Sequence, residues 1–255
     1  MSGVRIDLNA DVGEGFGRWS LGDDTALLDV ITSANVACGF HAGDPTIMRR
    51  VCEQAVAKGV AIGAQVGYRD LAGFGRRRLD IAPADLTADL LYQLGALDAF
   101  AHAAGGRVRY LKPHGALYNT AITDERQAGA IIDAIIAYDV ALPVLTLPGS
   151  VLATLAVERG VTSVAESFAD RGYLADGALI PRGGPGAVLH DPIAIAHRAV
   201  TIARDGQVRA EDGSTVRLAP ASLCVHGDTP GAVHIASAVR AALTDAGIDV
   251  ESFLV

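Results

Sequence analysis

The sequence predicts an α/β protein built on a parallel β/α barrel. Seven runs of apolar, β-type residues recur along the chain, and each ends in a small polar cluster that leads into a helical stretch. Parallel α/β folds have this pattern because their ligands gather at the carboxyl ends of the strands. A chain of 255 residues, 50% hydrophobic and 20% charged, can bury the core of one such barrel. We therefore expect a single domain over residues 1–255 with one reactive site at one end.

The strands and helices follow one another in order. The predicted strands cover or end within residues 4–11, 34–44, 60–67, 107–115, 142–149, 161–170 and 221–228. The predicted helices cover residues 45–58, 83–104, 124–139, 150–160 and 192–204, and a last helix begins near Thr229 and Pro230. Asp44 and Pro45 form a typical helix start, because the aspartate accepts hydrogen bonds from the first turn and the proline needs no partner there.

Three other segments interrupt the alternation of strands and helices. Asp212 and Gly213, within residues 207–220, predict a β-hairpin. Residues 68–80 form a long connection rich in glycine and arginine, and residues 171–191 form a second one rich in glycine and proline. Long loops at the ends of strands commonly carry function, so we expect both to border the site.

Charge and cysteine content exclude several classes of partner. The net charge of -8 argues against nucleic acid and against an anionic membrane surface, since both require a basic face. No apolar run reaches the ~18 residues that span a bilayer, and the chain enters its first strand directly. The three cysteines, Cys38, Cys52 and Cys224, show no metal or disulfide spacing and are interpreted as buried thiols. We expect a cytoplasmic enzyme.

Two strand ends carry the strongest candidates for catalysis. Asn9 and Asp11 are two residues apart on the first strand and therefore share a face, where Asp11 is placed as a metal ligand or general base, or as a cap of the following turn. Lys112 and His114 share a face in the same way. A lysine and a neutral histidine directed into one pocket suit an anionic substrate whose carbonyl or phosphoryl group must be polarised.

The last two strand ends add further polar groups. Glu166, Asp170 and Arg171 offer a possible acid or base and a cation, or a structural ion pair between the arginine and a carboxylate. His226 and Asp228 precede a helix whose first amides suit an anion. The chain contains no GxxxxGK[ST] loop, so this feature alone is a weak indication of nucleotide binding.

Seven motifs together resemble the LamB/YcsF family. They are DLNADVGE, NVACGFHAGD, GAQVGYRD, FGRR, LKPHGALYN, ESFADRGY and VHGDTPGAV, and they extend from residue 7 to residue 233. The resemblance implies an irregular seven-stranded (β/α) barrel of the glycoside hydrolase/deacetylase type. It also implies hydrolysis of 5-oxoproline to glutamate with ATP, a small lactam substrate and two further oxoprolinase subunits as partners.

One motif departs from the family pattern. The family usually has GAHPxYxD at the end of the third strand, whereas this chain has Gln65, Val66 and Arg69 in GAQVGYRD. Glutamine is a poorer ligand than imidazole for a divalent transition metal, although its carbonyl can accept hydrogen bonds. The sequence leaves open whether Asp11 and His41 bind a divalent metal.

The resemblance and the strand-end pattern together assign roles to twelve residues. The predicted catalytic residues are Asp11, Lys112, His114 and Glu166. The predicted substrate-binding residues are Asn9, Asn35, His41, Gln65, Arg76, Arg77, His226 and Asp228. Two other functions stay open: a stand-alone metal-dependent amide hydrolase or deacetylase, and a non-catalytic subunit that carries the lactam to a partner.

Overall fold

Seven parallel strands close into a barrel in the computed structural model, which describes residues 3–254. Going around the barrel, β9 (Ser222–Val225) pairs with β6 (Ser163–Phe168) on one side and with β1 (Arg5–Val12) on the other, which closes the ring. A short strand, β10 (Asp249–Val250), adds to β1 from outside. The barrel strands are β1 (Arg5–Val12), β2 (Ser33–Ala37), β3 (Ala61–Val66), β4 (Val108–Pro113), β5 (Val144–Thr146), β6 (Ser163–Phe168) and β9 (Ser222–Val225). The predicted seven-stranded barrel is confirmed.

Eight α-helices and one 3₁₀ helix (Leu71–Gly73) lie around the barrel within residues 3–254. The α-helices are α1 (Asp24–Leu27), α2 (Pro45–Lys58), α3 (Pro83–Ala103), α4 (Gly115–Thr120), α5 (Glu125–Asp139), α6 (Val151–Glu158), α7 (Pro192–Asp205) and α8 (Ala232–Asp245). Asp44 caps α2 by accepting hydrogen bonds from the amides of Thr46 and Ile47, as predicted. The short helices α1 and α4 were not predicted, and α8 begins later than predicted, after Gly231 in a left-handed conformation.

Polar side chains fill much of the barrel interior. Along β1, Ile6, Leu8, Ala10 and Val12 belong to the apolar core, while the alternating Asp7, Asn9 and Asp11 contact polar groups of other barrel strands. Alternation is expected, since successive residues of a strand point to opposite faces. Near the amino end of β1, burial raises the pKa of Asp7 to about 6, although Ser222, Ser33 and Thr32 donate hydrogen bonds to it. Polar side chains therefore lie one above another in the barrel interior, from Asp7 near the amino end of β1 to Asp11 near its carboxyl end.

Two of the three segments predicted to interrupt the alternation, 207–220 and 171–191, take the predicted places. Strands β7 (Gln207–Arg209) and β8 (Thr215–Arg217) pair antiparallel around the turn at Asp212 and Gly213, which confirms the hairpin. Residues 171–191 contain no helix and are held by isolated bridges, one joining Arg171 to Val188. They border the mouth of the barrel.

Two further expectations concern the cysteines and membrane-spanning helices. Cys38, Cys52 and Cys224 are free and buried, and burial raises the pKa of each thiol. No helix within residues 3–254 is both long enough and apolar enough to cross a membrane.

Candidate active site

A cavity of about 650 Å³ opens at the carboxyl ends of the barrel strands. Five of the predicted site residues line it: Asp11, Arg76, Lys112, His114 and His226. They come from β1, the loop after β3, the end of β4 and the segment after β9. The strand-end pattern therefore located one shared pocket. Its other wall is apolar and includes Tyr118, Phe168 and Leu179.

Lys112 is a buried cation at the base of this cavity. Its Nζ lies 2.7 Å from Glu166 Oε1 and 3.4 Å from Asp11 Oδ1. The same ammonium donates to Asn9 Oδ1 at 3.2 Å and to Cys224 Sγ at 3.1 Å. Burial alone would lower the pKa of Lys112, but the facing anionic groups outweigh it and hold the pKa well above its usual value. Lys112 thus stays protonated.

Asp11 is a buried anion that pairs with Lys112. Its Oδ1 accepts a hydrogen bond from Asn35 Nδ2 at 2.9 Å and lies beside Lys112. Burial raises the pKa of this carboxyl, but the positive charge of Lys112, the electrostatic effect of the nearby His226 and the bond from Asn35 bring it below its usual value. Asp11 is therefore ionised at neutral pH, and it lines the cavity.

Asn9 and Asn35 lie beneath the cavity and hold the residues that line it. The Tyr110 hydroxyl donates to Asn35 Oδ1 at 2.6 Å, which directs Nδ2 of Asn35 towards Asn9 Oδ1 (2.7 Å) and Asp11. Tyr110 fits only because residue 63 is glycine, since a Cβ at Gly63 would overlap the tyrosine ring. The two asparagines do not line the cavity, so we interpret them as positioning residues and not as substrate contacts.

A second buried group contains two histidines and a carboxylate. The rings of His41 and His114 stack with centroids 4.0 Å apart and planes 16° apart. Gln65 links the group, because its Oε1 lies 3.2 Å from His41 Nε2 and its Nε2 donates to Glu14 Oε1 at 3.1 Å. Burial lowers the pKa of His41 to about 4 and lowers the pKa of His114 well below its usual value. Both imidazoles are therefore neutral.

Glu14, His41 and His114 allow a divalent metal ion. One potential ligand atom from each lies within 4.8 Å of the others, and a carboxylate with two neutral imidazoles is a common donor set for such ions. The Nδ1 atoms of both rings have no hydrogen-bond partner in the described part of the chain. However, an imidazole binds metal in its ring plane, so the near-parallel stacking requires one ring to turn before both bind one ion. Asp11, paired with Lys112, lies outside this group.

His226 and Asp170 form the third polar group of the site. Its Nδ1 lies 2.9 Å and 3.0 Å from the two carboxylate oxygens of Asp170, and its backbone amide donates to the same carboxylate at 3.2 Å. Phe168 stacks on the imidazole ring at 5.4 Å. The ring is therefore fixed against the cavity wall.

The arginines divide between the cavity and the outer surface. Arg76 lines the cavity and pairs with Asp228 at 2.6 Å, whereas Asp228 itself is not part of the lining. Arg77 pairs with Asp70 through a side chain that is 65% exposed and does not reach the lining. Arg171 and Arg182, from the segment 171–191, do line the cavity.

Several predicted residues lie outside the cavity lining, and the site contains further polar residues that the sequence did not single out. The predicted residues outside the cavity lining are Asn9, Asn35, His41, Gln65, Arg77, Glu166 and Asp228. Glu14 was not assigned to the site, and Asp170 was considered only as a possible acid or base or as half of a structural ion pair, although each is a buried acidic residue two positions after a strand. This place just beyond a strand end was the feature of the sequence that could have indicated both.

The sequence profile of the LamB/YcsF family matches residues 6–254. The chain belongs to this family. Among curated LamB/YcsF relatives, a 5-oxoprolinase subunit of Streptomyces avermitilis is 58% identical over 248 residues, which cover 97% of this chain and 99% of the relative.

Solved structures agree with this LamB/YcsF assignment. The lactam utilization protein from Thermus thermophilus is 44% identical, with a TM-score of 0.93 over 98% of this chain and 100% of that chain. A peptidoglycan N-acetylglucosamine deacetylase shares only the fold, with 11% identity and a TM-score of 0.51 over 99% of this chain and 87% of that chain. The expected barrel of the deacetylase type is confirmed.

Proposed function

We propose that this chain is one of three subunits of an ATP-dependent 5-oxoprolinase, which opens 5-oxoproline to glutamate in the cytoplasm. One observation carries the proposal: a buried cation, Lys112, and an ionised carboxylate, Asp11, face the same cavity 3.4 Å apart. The names of the relatives, a 5-oxoprolinase subunit and a lactam utilization protein, support the same substrate class.

The chemistry of a lactam explains the need for these groups. A five-membered lactam is an unstrained amide and a poor electrophile, so phosphorylation of its carbonyl oxygen by ATP would activate the carbon. Asp11 then takes a proton from the attacking water. Lys112, already held in place by Glu166, neutralises the negative charge of the transferred phosphoryl group. His114, neutral and on the cavity wall, orients the oxygen that carries this group.

Two arginines of the cavity lining are assigned to bind the anionic groups of the substrates. Arg76, from the loop after β3, and Arg182, from the segment 171–191, both line the cavity. Guanidinium groups bind carboxylate and phosphate well because their planar donors match two oxygens. We assign Arg76 and Arg182 to the substrate carboxylate and the phosphoryl group. Arg77 lies outside the cavity lining and takes no part in this proposal.

The two partner polypeptides supply what this chain lacks. The sequence has no GxxxxGK[ST] loop, so we propose that ATP is bound largely by the partners. The curated relatives are named as one subunit of an enzyme, which supports the existence of partners.

A second candidate function is that of a metal-dependent amide hydrolase. The group of Glu14, His41 and His114 favours it, since these residues would hold a divalent cation. When bound, such an ion would polarise the carbonyl oxygen of an amide.

Glutamate release from 5-oxoproline tests the two functions against each other. We expect glutamate only when ATP and the two partner polypeptides are all present, because the amide needs activation. The assay should be run with the complete mixture, with each component omitted, and with a chelator added to the isolated chain. ATP-independent hydrolysis by the isolated chain, lost with the chelator and in Glu14→Gln, would establish the metal-dependent hydrolase instead.

A further inference from the structure

The pair formed by His226 and Asp170 has no role in the steps above, although it is built into the same site. Asp170 is fully buried and directs both carboxylate oxygens at His226 Nδ1. The two nitrogens of an imidazole lie on different edges of the ring, so Nε2 remains available to the cavity that His226 lines. A ring bound at Nδ1 and stacked on Phe168 has little freedom to turn.

A carboxylate at Nδ1 makes a histidine suitable for proton transfer. It fixes the tautomer of the ring and stabilises the imidazolium form, so that Nε2 can give and regain a proton. The other cavity histidine lacks this support, since His114 is neutral and stacks on His41. Lys112 is committed to its anionic partners and Asp11 to accepting a proton. His226 is the lining residue with the arrangement of a proton donor.

The reaction needs such a donor. Water addition to the phosphorylated lactam gives a tetrahedral carbon that carries a hydroxyl group, a phosphoryl-bearing oxygen and the ring nitrogen. Ring opening breaks the carbon–nitrogen bond, and the electron pair of that bond moves to nitrogen. An amide nitrogen leaves poorly unless it is protonated as the bond breaks.

We infer that His226 donates its Nε2 proton to the lactam nitrogen during ring opening, with Asp170 as the positioning residue. The inference rests on the proposed 5-oxoprolinase function. In this step the hydroxyl oxygen forms the new carbonyl and its proton passes to solvent water, nitrogen becomes an amine, and His226 is left neutral, while Asp11 keeps the proton of the attacking water. The product is an acyl phosphate, which water then converts to glutamate and phosphate.

Proton donation also decides which bond of the tetrahedral carbon breaks. Without a proton on nitrogen, phosphate is the better leaving group, and its departure restores the lactam. ATP would then be hydrolysed without glutamate being formed. The ratio of phosphate released to glutamate formed therefore reports on His226 directly, and a merely structural contact between His226 and Asp170 would not change it.

The test uses the reconstituted complex with His226→Asn and, separately, Asp170→Asn. Asparagine at position 226 can keep a donor towards Asp170 but has no atom that replaces Nε2. We expect glutamate formation to fall by about 100-fold or more, the usual effect of losing an acid catalyst. ATP hydrolysis should persist, so the phosphate-to-glutamate ratio should rise by about tenfold or more. Asp170→Asn should raise the same ratio to a lesser extent.

The control is another histidine–aspartate pair of the same chain. His102 lies 3.0 Å from Asp98 on the surface of α3, away from the cavity lining, so His102→Asn should leave the ratio unchanged. An unchanged ratio in both site variants, with the wild-type complex active, would overturn the inference alone. A wild-type complex that forms no glutamate would instead overturn the proposed function and this inference with it.

Discussion

Replacing Lys112 by methionine should lower glutamate formation by about 1,000-fold and also destabilise the barrel. The activity loss follows because removing one preorganised charge commonly costs about 100- to 1,000-fold or more in turnover. The stability loss follows because Asp11 and Glu166 would lose the cation between them, and a buried ion pair broken on one side costs about 3–5 kcal/mol. Steady-state glutamate formation and urea unfolding measure the two effects.

A double variant separates the two effects of Lys112. In Lys112→Met with Glu166→Gln, one of the stranded carboxylates is neutral, so we expect part of the lost stability to return while activity stays low. Glu166 does not line the cavity, and its contact with Lys112 explains its place in the site. Full activity in a stable Lys112→Met chain would remove Lys112 from the mechanism.

Gly63→Ala should be the most damaging single methyl addition within the barrel. Its Cβ would overlap the ring of Tyr110, which cannot move without losing the 2.6 Å bond to Asn35. Overpacking a core costs about 1–3 kcal/mol, and an unpaired buried group adds about 1–3 kcal/mol more. Because Asn35 holds Asp11, we expect activity to fall as well. Urea unfolding and turnover test both expectations.

Two further variants serve as controls for Gly63→Ala. Gly95 lies within α3 with nothing within 4 Å of an added Cβ, so Gly95→Ala should stabilise the protein by about 0.5–1 kcal/mol. Adding Tyr110→Leu to Gly63→Ala should restore part of the stability by making room for the methyl group, without restoring the bond to Asn35. If Gly63→Ala unfolds at the same urea concentration as the wild type, the packing account of β3 and β4 is wrong.

The fold followed from the sequence because its signals are local. Strand runs with polar ends, the Asp44–Pro45 helix start and the Asp212–Gly213 turn each depend on neighbouring residues, and each is present. The sequence did not predict the short helices α1 and α4, because they span only four and six residues. Segments of that length carry too little periodicity to be recognised.

The site was only partly predictable because depth in a barrel is not a local property. The position of Asp11 and Asn9 on one face was clear from their spacing, but Asn9 lies beneath the cavity and Asp11 on its surface. Arg76 and Arg77 are neighbours in sequence, yet Arg76 faces the cavity and Arg77 pairs with Asp70. Gln65, which departs from the family pattern, joins His41 to Glu14, a link no single motif could indicate.

The most direct test of the catalytic account replaces Asp11 by asparagine in the reconstituted complex. Asparagine has nearly the same shape, and its carbonyl oxygen can still accept hydrogen bonds from Asn35 and Lys112, so the fold should be preserved. We predict that glutamate formation falls by about 100-fold or more, while calorimetry still detects 5-oxoproline binding to the variant chain. Glutamate formation near the wild-type rate would show that the lactam is opened elsewhere and that this chain only carries it.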